Sequence, residues 1–206
     1  MSFFRQLIAV LALLSATCAQ ADVTAGKEYT LLSNPQPISG KKIEVLEFFF
    51  YGCSHCYHLH PLINAWEKKA PKDVEFQYVP TVFNDGWEPM AHTFYALEAL
   101  GQRKQLHDAL FDAWNVQNID LSDEAKIAEF VARHGVDRSK FEAEYNSFSV
   151  SSKISRSNQW VTVYGIRGTP TLIVDGKYSI TGLQPAETIR VLNEVIKIAR
   201  KDRSKH

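Results

Sequence analysis

Between Ile43 and Tyr51 the chain carries Ile43, Val45, Leu46, Phe48, Phe49 and Phe50, the pattern of a β-strand covered on both faces. Glu47 interrupts the run. Gly52-Cys53-Ser54-His55-Cys56 follows at once, and behind it Leu59, Leu62, Ile63 and Trp66 recur at helical spacing, with Pro61 as an expected kink. Val74, Phe76 and Tyr78 then alternate with Glu75 and Gln77, which predicts a half-buried strand. The three segments form a strand–helix–strand unit, right-handed by the general rule for such crossovers.

The flanks extend this unit differently. Upstream, Tyr29-Thr30-Leu31-Leu32 predicts a short strand, and Asn34-Pro35 and Pro37 a loop. Downstream, from Phe83 to Tyr164, the patterning is helical with no strand. Leu106, Ala109, Leu110, Ala113 and Trp114 share one face, as do Phe141, Tyr145 and Phe148. Ser122 reads as an N-cap before Asp123 and Glu124, and Gly135 as the end of that helix. Thr171–Val174 and Lys177–Ile180 flank Asp175-Gly176, a strong hairpin signal. Ile189, Leu192, Val195, Ile196 and Ala199 predict a C-terminal amphipathic helix after Pro185. The order is βαβ, a helical block, then ββα. The fold class is α/β with an all-α insertion.

The N-terminus reads as a leader. Arg5 precedes an apolar run from Leu7 to Ala16, and small residues at Ala19 and Ala21 suit cleavage before Asp22. The run is shorter than the roughly 20 apolar residues of a membrane-spanning helix. Thr17 and Ser15 ahead of Cys18 argue against a lipoprotein signal. The chain thus divides into a signal peptide (1–21), a first sheet portion (22–82), a helical insertion (83–164) and a second sheet portion (165–206). Of the three cysteines, the mature chain keeps Cys53 and Cys56. Lys plus Arg and Asp plus Glu both number 23, so no charge excess draws the protein to nucleic acid.

Cys53 stands where a buried strand hands over to a helix. Unsatisfied N–H groups and the helix dipole there favour an anion, so a thiolate forms readily and becomes competent for thiol–disulfide exchange. A protonated His55 adds positive charge nearby. Cys56, one turn on, can close a disulfide and resolve mixed intermediates. A purely structural disulfide is disfavoured, because so short a loop constrains little chain entropy. A zinc site could use Cys53, Cys56, His58 and His60, though structural zinc usually takes a second ligand pair at a distance. An inert thiol pair fits poorly with export to an oxidising space. His92, His107, His134 and His206 stand alone in helical or terminal positions and suit surface or core roles.

Val45-Leu46-Glu47-Phe48-Phe49, Cys53-Ser54-His55-Cys56-Tyr57 and Gly165-Ile166-Arg167-Gly168-Thr169-Pro170-Thr171, in this order, resemble the DsbA family of bacterial periplasmic thiol:disulfide oxidoreductases. The resemblance covers essentially all of the mature chain, including the helical insertion. It implies a thioredoxin-like fold, a periplasmic location and the introduction of disulfides into unfolded or reduced exported proteins. It also implies reoxidation by a DsbB-type membrane quinone reductase, a monomer and no cofactor. Residue by residue, Cys53 matches the nucleophile, Cys56 the resolving cysteine and His55 the histidine that stabilises the thiolate. Thr169 and Pro170 match the substrate-facing pair with its cis-proline, although residue grounds alone favour a trans bond at a strand's start. Glu47 matches the buried acid beneath the active site, with Lys69 as a charge partner; on pattern alone it could instead snorkel from a strand to an edge. One departure is Ser54, where many members carry proline, and the dipeptide between the cysteines tunes the redox potential. Within the class, an isomerase or reductase is the alternative, and a Cys/His metal-binding module is the alternative outside it.

Overall fold

The computed structural model describes residues 23–38 and 40–205. The leader read at 1–21 lies outside the described residues. Strand β1 (Thr30–Leu31) precedes β2 (Ile43–Phe49), helix α1 (Ser54–Glu67) and β3 (Val74–Pro80). A 3-10 turn (Asp85–Trp87) opens the helical segment of α2 (Glu88–Ala99), α3 (Arg103–Asn115), α4 (Glu124–Arg133), α5 (Arg138–Tyr145) and α6 (Phe148–Val163). Strands β4 (Thr171–Val174) and β5 (Tyr178–Thr181) and helix α7 (Pro185–Arg203) complete the chain.

The strands form one mixed sheet in the order β1-β5-β4-β2-β3. β2 pairs parallel with β3 and antiparallel with β4, so the cysteine-bearing strand has neighbours on both sides. Side chains alternate across the sheet as strand geometry requires. Ile43, Val45 and Phe49 face the large core they share with Cys56, Leu59 and Ile63 of α1 and Val191, Leu192 and Val195 of α7. Leu46 and Phe48 face the other way, with Val79 and Ile173, and are covered by Tyr164, Ile166 and the end of α6. The β4–β5 turn has Asp175 at φ 55° and Gly176 at φ 62°, the two left-handed residues of a tight hairpin. A Cβ on Gly176 would lie 2.4 Å from the Gln36 carbonyl oxygen, so no larger residue fits there.

The structure corrects two local readings. The cap of α4 is Asp123, whose carboxylate accepts from Lys126 N–H at 3.0 Å, and not Ser122. Asp and Ser are near-equal caps, and the one whose backbone is extended at the helix start takes the role. Phe148 does not continue the face of Phe141 and Tyr145. Ser147 caps a new helix there by accepting from Val150 N–H, and Phe148 is 88% exposed. The Gly135 stop, by contrast, is as read, with φ 87° just past α4.

Candidate active site

Cys53 is the N-cap of α1, with extended backbone at φ −86° and ψ 115°. No acidic residue occupies the first turn of α1 to oppose an anion there. Its sulfur is half-buried and both cysteines are free thiols. The Cys53 thiol is held down to about 5, first by a hydrogen bond from the Cys56 thiol, against the opposing effect of burial. The Thr169 side chain and the backbone N–H groups of Cys56 and His55 add to the thiolate's donors. Cys56 is fully buried, and burial pushes its thiol well up, with the Cys53 charge adding to the effect. At neutral pH one sulfur is therefore a half-buried thiolate and the other a protonated, sheltered thiol.

Two segments distant in sequence bound the sulfur. The Thr169–Pro170 bond is cis, and the Cys53 thiol donates to the Thr169 carbonyl at 3.3 Å. A cavity of about 240 Å³ runs alongside, lined by His55, Leu59, Thr169, Pro170, Leu183 and Thr188. His55 reaches the sulfur through its backbone N–H, while its exposed ring borders this cavity. On the other side, Phe50 stacks on Trp87 at 3.9 Å and meets Trp114 edge-on at 5.4 Å, and Phe83 extends the aromatic strip.

Glu47 lies on β2 beneath the pair, 1% exposed, in register with Tyr78 and Leu172. It does not snorkel, because β2 is flanked on both sides. Burial, then the Glu67 and Cys53 charges, raise its carboxyl to about 8. Lys69 is not its charge partner. It lies past the end of α1, exposed, and Glu47 Oε2 has no hydrogen-bond partner. The four proposed zinc ligands do not gather either: His58 is exposed and His60 Nε2 is engaged by Asp108 at 2.6 Å. Among the described residues no group of three or more His, Cys, Asp or Glu could hold a metal ion.

Several residues that shape the site carry no sequence signal. Gly52 is required by contact, since a Cβ there would come within 2.5 Å of the Phe50 ring and 2.7 Å of Trp114. Asn115 donates to the Tyr51 carbonyl at 2.8 Å, and His107 pairs with the Tyr51 hydroxyl at 2.7 Å. Helix α3 thus grips the segment that leads into Cys53. Only a hairpin-like motif or a fixed spacing would have flagged these residues in advance, and they have neither.

The family description "DSBA-like thioredoxin domain" matches residues 79–192. The thiol:disulfide interchange protein DsbA of Pseudomonas aeruginosa is 38% identical over 201 residues, covering 94% of this chain and 95% of that protein. Its counterpart in Burkholderia cepacia is 42% identical over 170 residues, covering 80% of each. The crystal structure of Pseudomonas aeruginosa DsbA superposes with a TM-score of 0.84 at 36% identity, covering 88% of this chain and 97% of that one. The DsbA1 oxidoreductase of Neisseria meningitidis gives 0.81 at 26% identity, with 89% and 97% coverage. With this fold, and with similarity running nearly end to end, the chain belongs to the DsbA-like thioredoxin family and is a disulfide oxidoreductase.

Proposed function

We propose that the protein introduces disulfides into reduced, newly exported proteins, with Cys53 as nucleophile and Cys56 as resolving thiol. The observation that carries this reading is the contrast between the two sulfurs, one lowered to about 5 at a helix start and the other buried and raised. A substrate thiolate attacks Cys53 Sγ of the oxidised pair. The Cys53–Cys56 bond breaks, and Cys56 leaves with the electron pair. The neutral Glu47 carboxyl supplies the proton that Cys56 requires. The substrate's second thiolate then attacks its own bridged sulfur and expels Cys53, whose low pKa makes it a good leaving group. Two electrons pass to the pair, one proton resides on Cys56 and the other goes to solvent.

Broad specificity is supported by the apolar surroundings, the strip Phe83–Trp87–Phe50–Trp114 on one side and the Pro170 cavity on the other. An extended substrate would pair with the backbone at Thr169. The helical segment 83–164 serves as the wall that carries Trp87 and Trp114. The leader read at 1–21 and the family likeness support a periplasmic location, and a DsbB-type quinone-linked membrane protein is the fitting reoxidant. The chain would act as a monomer. In an oxidation assay with a reduced, unfolded substrate, Cys53→Ala should abolish activity. Cys56→Ala should accumulate mixed disulfides that persist on non-reducing gels. Full activity of Cys53→Ala would refute the assignment.

A further inference from the structure

Thr171 opens β4 and Thr181 closes β5, and the hairpin register sets them directly opposite each other at its open end. Side chains alternate along β4, so Thr171 shares the face of Ile173, while Leu172 on the other face lines the cavity beside Pro170. Thr171 is 4% exposed. Its hydroxyl donates to the Gly168 carbonyl at 2.8 Å. The Thr181 hydroxyl, 3.1 Å from it, donates to the Pro170 carbonyl at 3.3 Å. Successive carbonyls ahead of β4 are thus divided. Those of Gly168 and Pro170 are tied back to the hairpin, and that of Thr169 between them accepts from the Cys53 thiol.

Packing alone leaves this segment loose at Gly168. Ile166 is buried, and its N–H donates to the Val161 carbonyl at 2.9 Å. Arg167 is exposed, however, and a Cβ on Gly168 would meet nothing within 4 Å. Glycine has the widest backbone freedom of any residue, so the peptide plane after Gly168 turns easily unless its carbonyl is held. That plane also contains the Thr169 N–H. The Gly168–Thr169 bond is an ordinary trans peptide, in which C=O and N–H point in opposite directions. A Gly168 carbonyl drawn to the Thr171 hydroxyl therefore aims the Thr169 N–H away from the hairpin.

We propose that Thr171 is a positioning residue for substrate recognition. Its hydroxyl, braced by Thr181, holds the Gly168–Thr169 peptide so that the Thr169 N–H meets a backbone carbonyl of an extended substrate. The proposal rests on the reading of the Thr169 backbone as the edge that pairs with substrate. Thr171 is buried on the far face of β4, so it acts through that edge and not by touching the substrate. Thr181 borders the cavity itself, which makes Thr171 the cleaner position to test.

The test measures the second-order rate at which a two-cysteine peptide reduces the oxidised full chain. A copy of the peptide with esters in place of the amides flanking its cysteines lacks the pairing N–H groups and keeps only weak acceptors. Dithiothreitol, which has no peptide backbone, is the third reductant. With wild type the ester peptide should react about fivefold more slowly than the amide peptide, the worth of one hydrogen bond. Thr171→Val should lose about the same factor with the amide peptide, distinguish little between amide and ester, and keep the wild-type rate with dithiothreitol. Thr171→Ser, which retains the hydroxyl, should restore both the rate and the discrimination. A wild type that does not distinguish amide from ester would overturn pairing at Thr169, and the role of Thr171 with it. Discrimination in Thr171→Val as large as in wild type would overturn the role of Thr171 and leave pairing at Thr169 standing. An equal loss with dithiothreitol would mark a general structural disturbance and also overturn the role. Should Thr171→Val not fold, Thr181→Val carries the same test: its amide-to-ester ratio should shrink, and an unchanged ratio would overturn the proposal.

Discussion

Burial lifts the Glu47 carboxyl to about 8, so at pH 7 the folded protein holds a neutral acid where the unfolded chain holds a carboxylate. A carboxyl whose folded pKa is raised removes stability above its unfolded pKa. The loss is absent below about pH 4.5, grows with pH and levels off above about 8. At pH 7 this amounts to about 3 kcal/mol. Glu47→Gln, which keeps the shape of the neutral acid, should therefore raise the unfolding free energy by about 2–3 kcal/mol at pH 7 and by little at pH 4. Urea titrations at both pH values check this, and an equal gain at pH 4 would contradict it. An acid inside an otherwise apolar strand was legible as an anomaly. Its burial on a flanked strand was not, because on pattern alone a strand's place in the sheet is open. Lys69 shows the same limit: its position was plausible along the chain, but the α1 terminus turns it to solvent.

At the scale of elements, the βαβ unit and the Asp175-Gly176 hairpin were legible because periodicity and turn chemistry are local. Helix starts within the insertion were less so, as Asp123 and Ser147 show, because competing cap residues stand side by side. The cis bond at Thr169–Pro170 came from family likeness, since local residues alone favour trans. The role of His55 shifts most. The sequence suggested its imidazole charge, whereas the structure brings its backbone N–H to the sulfur. His55→Leu should accordingly raise the Cys53 titration midpoint only part of the way towards an ordinary thiol, as followed by thiolate ultraviolet absorbance. A midpoint returned fully to the ordinary range would assign the effect to the ring. Gly52 makes a second element-level prediction. Gly52→Ala must displace Phe50 or Trp114, at a cost of about 1–3 kcal/mol, and should disturb Cys53 with it. Trp114→Ala in the same chain should return part of that cost, which a four-member unfolding cycle measures. This requirement was invisible in the sequence because Trp114 reaches Gly52 only through packing of α3 on the sheet.

For the whole molecule, redox state and stability are linked. A Cys53 thiolate exists only in the reduced form, and the folded-state pKa of about 5 lies below the unfolded thiol value of about 8.5. A depressed folded pKa contributes stability that is complete above the unfolded value and is lost as pH falls through about 5. The disulfide gains no such contribution, and its short loop constrains the unfolded chain little. By the same cycle, whatever makes the reduced fold the more stable makes the oxidised pair a ready electron acceptor. The opposite pH slope of Glu47 is common to both forms and largely drops out of their difference, save for the share that the Cys53 charge itself adds.

The most direct measurement is a paired set of urea titrations on the oxidised and reduced protein from pH 4 to pH 8. The reduced form should be the more stable at pH 7, with a margin that widens towards pH 8 and shrinks as the pH falls to 5. An oxidised form more stable at pH 7, or a margin that does not change with pH, would contradict a disulfide-donating role built on the Cys53 thiolate.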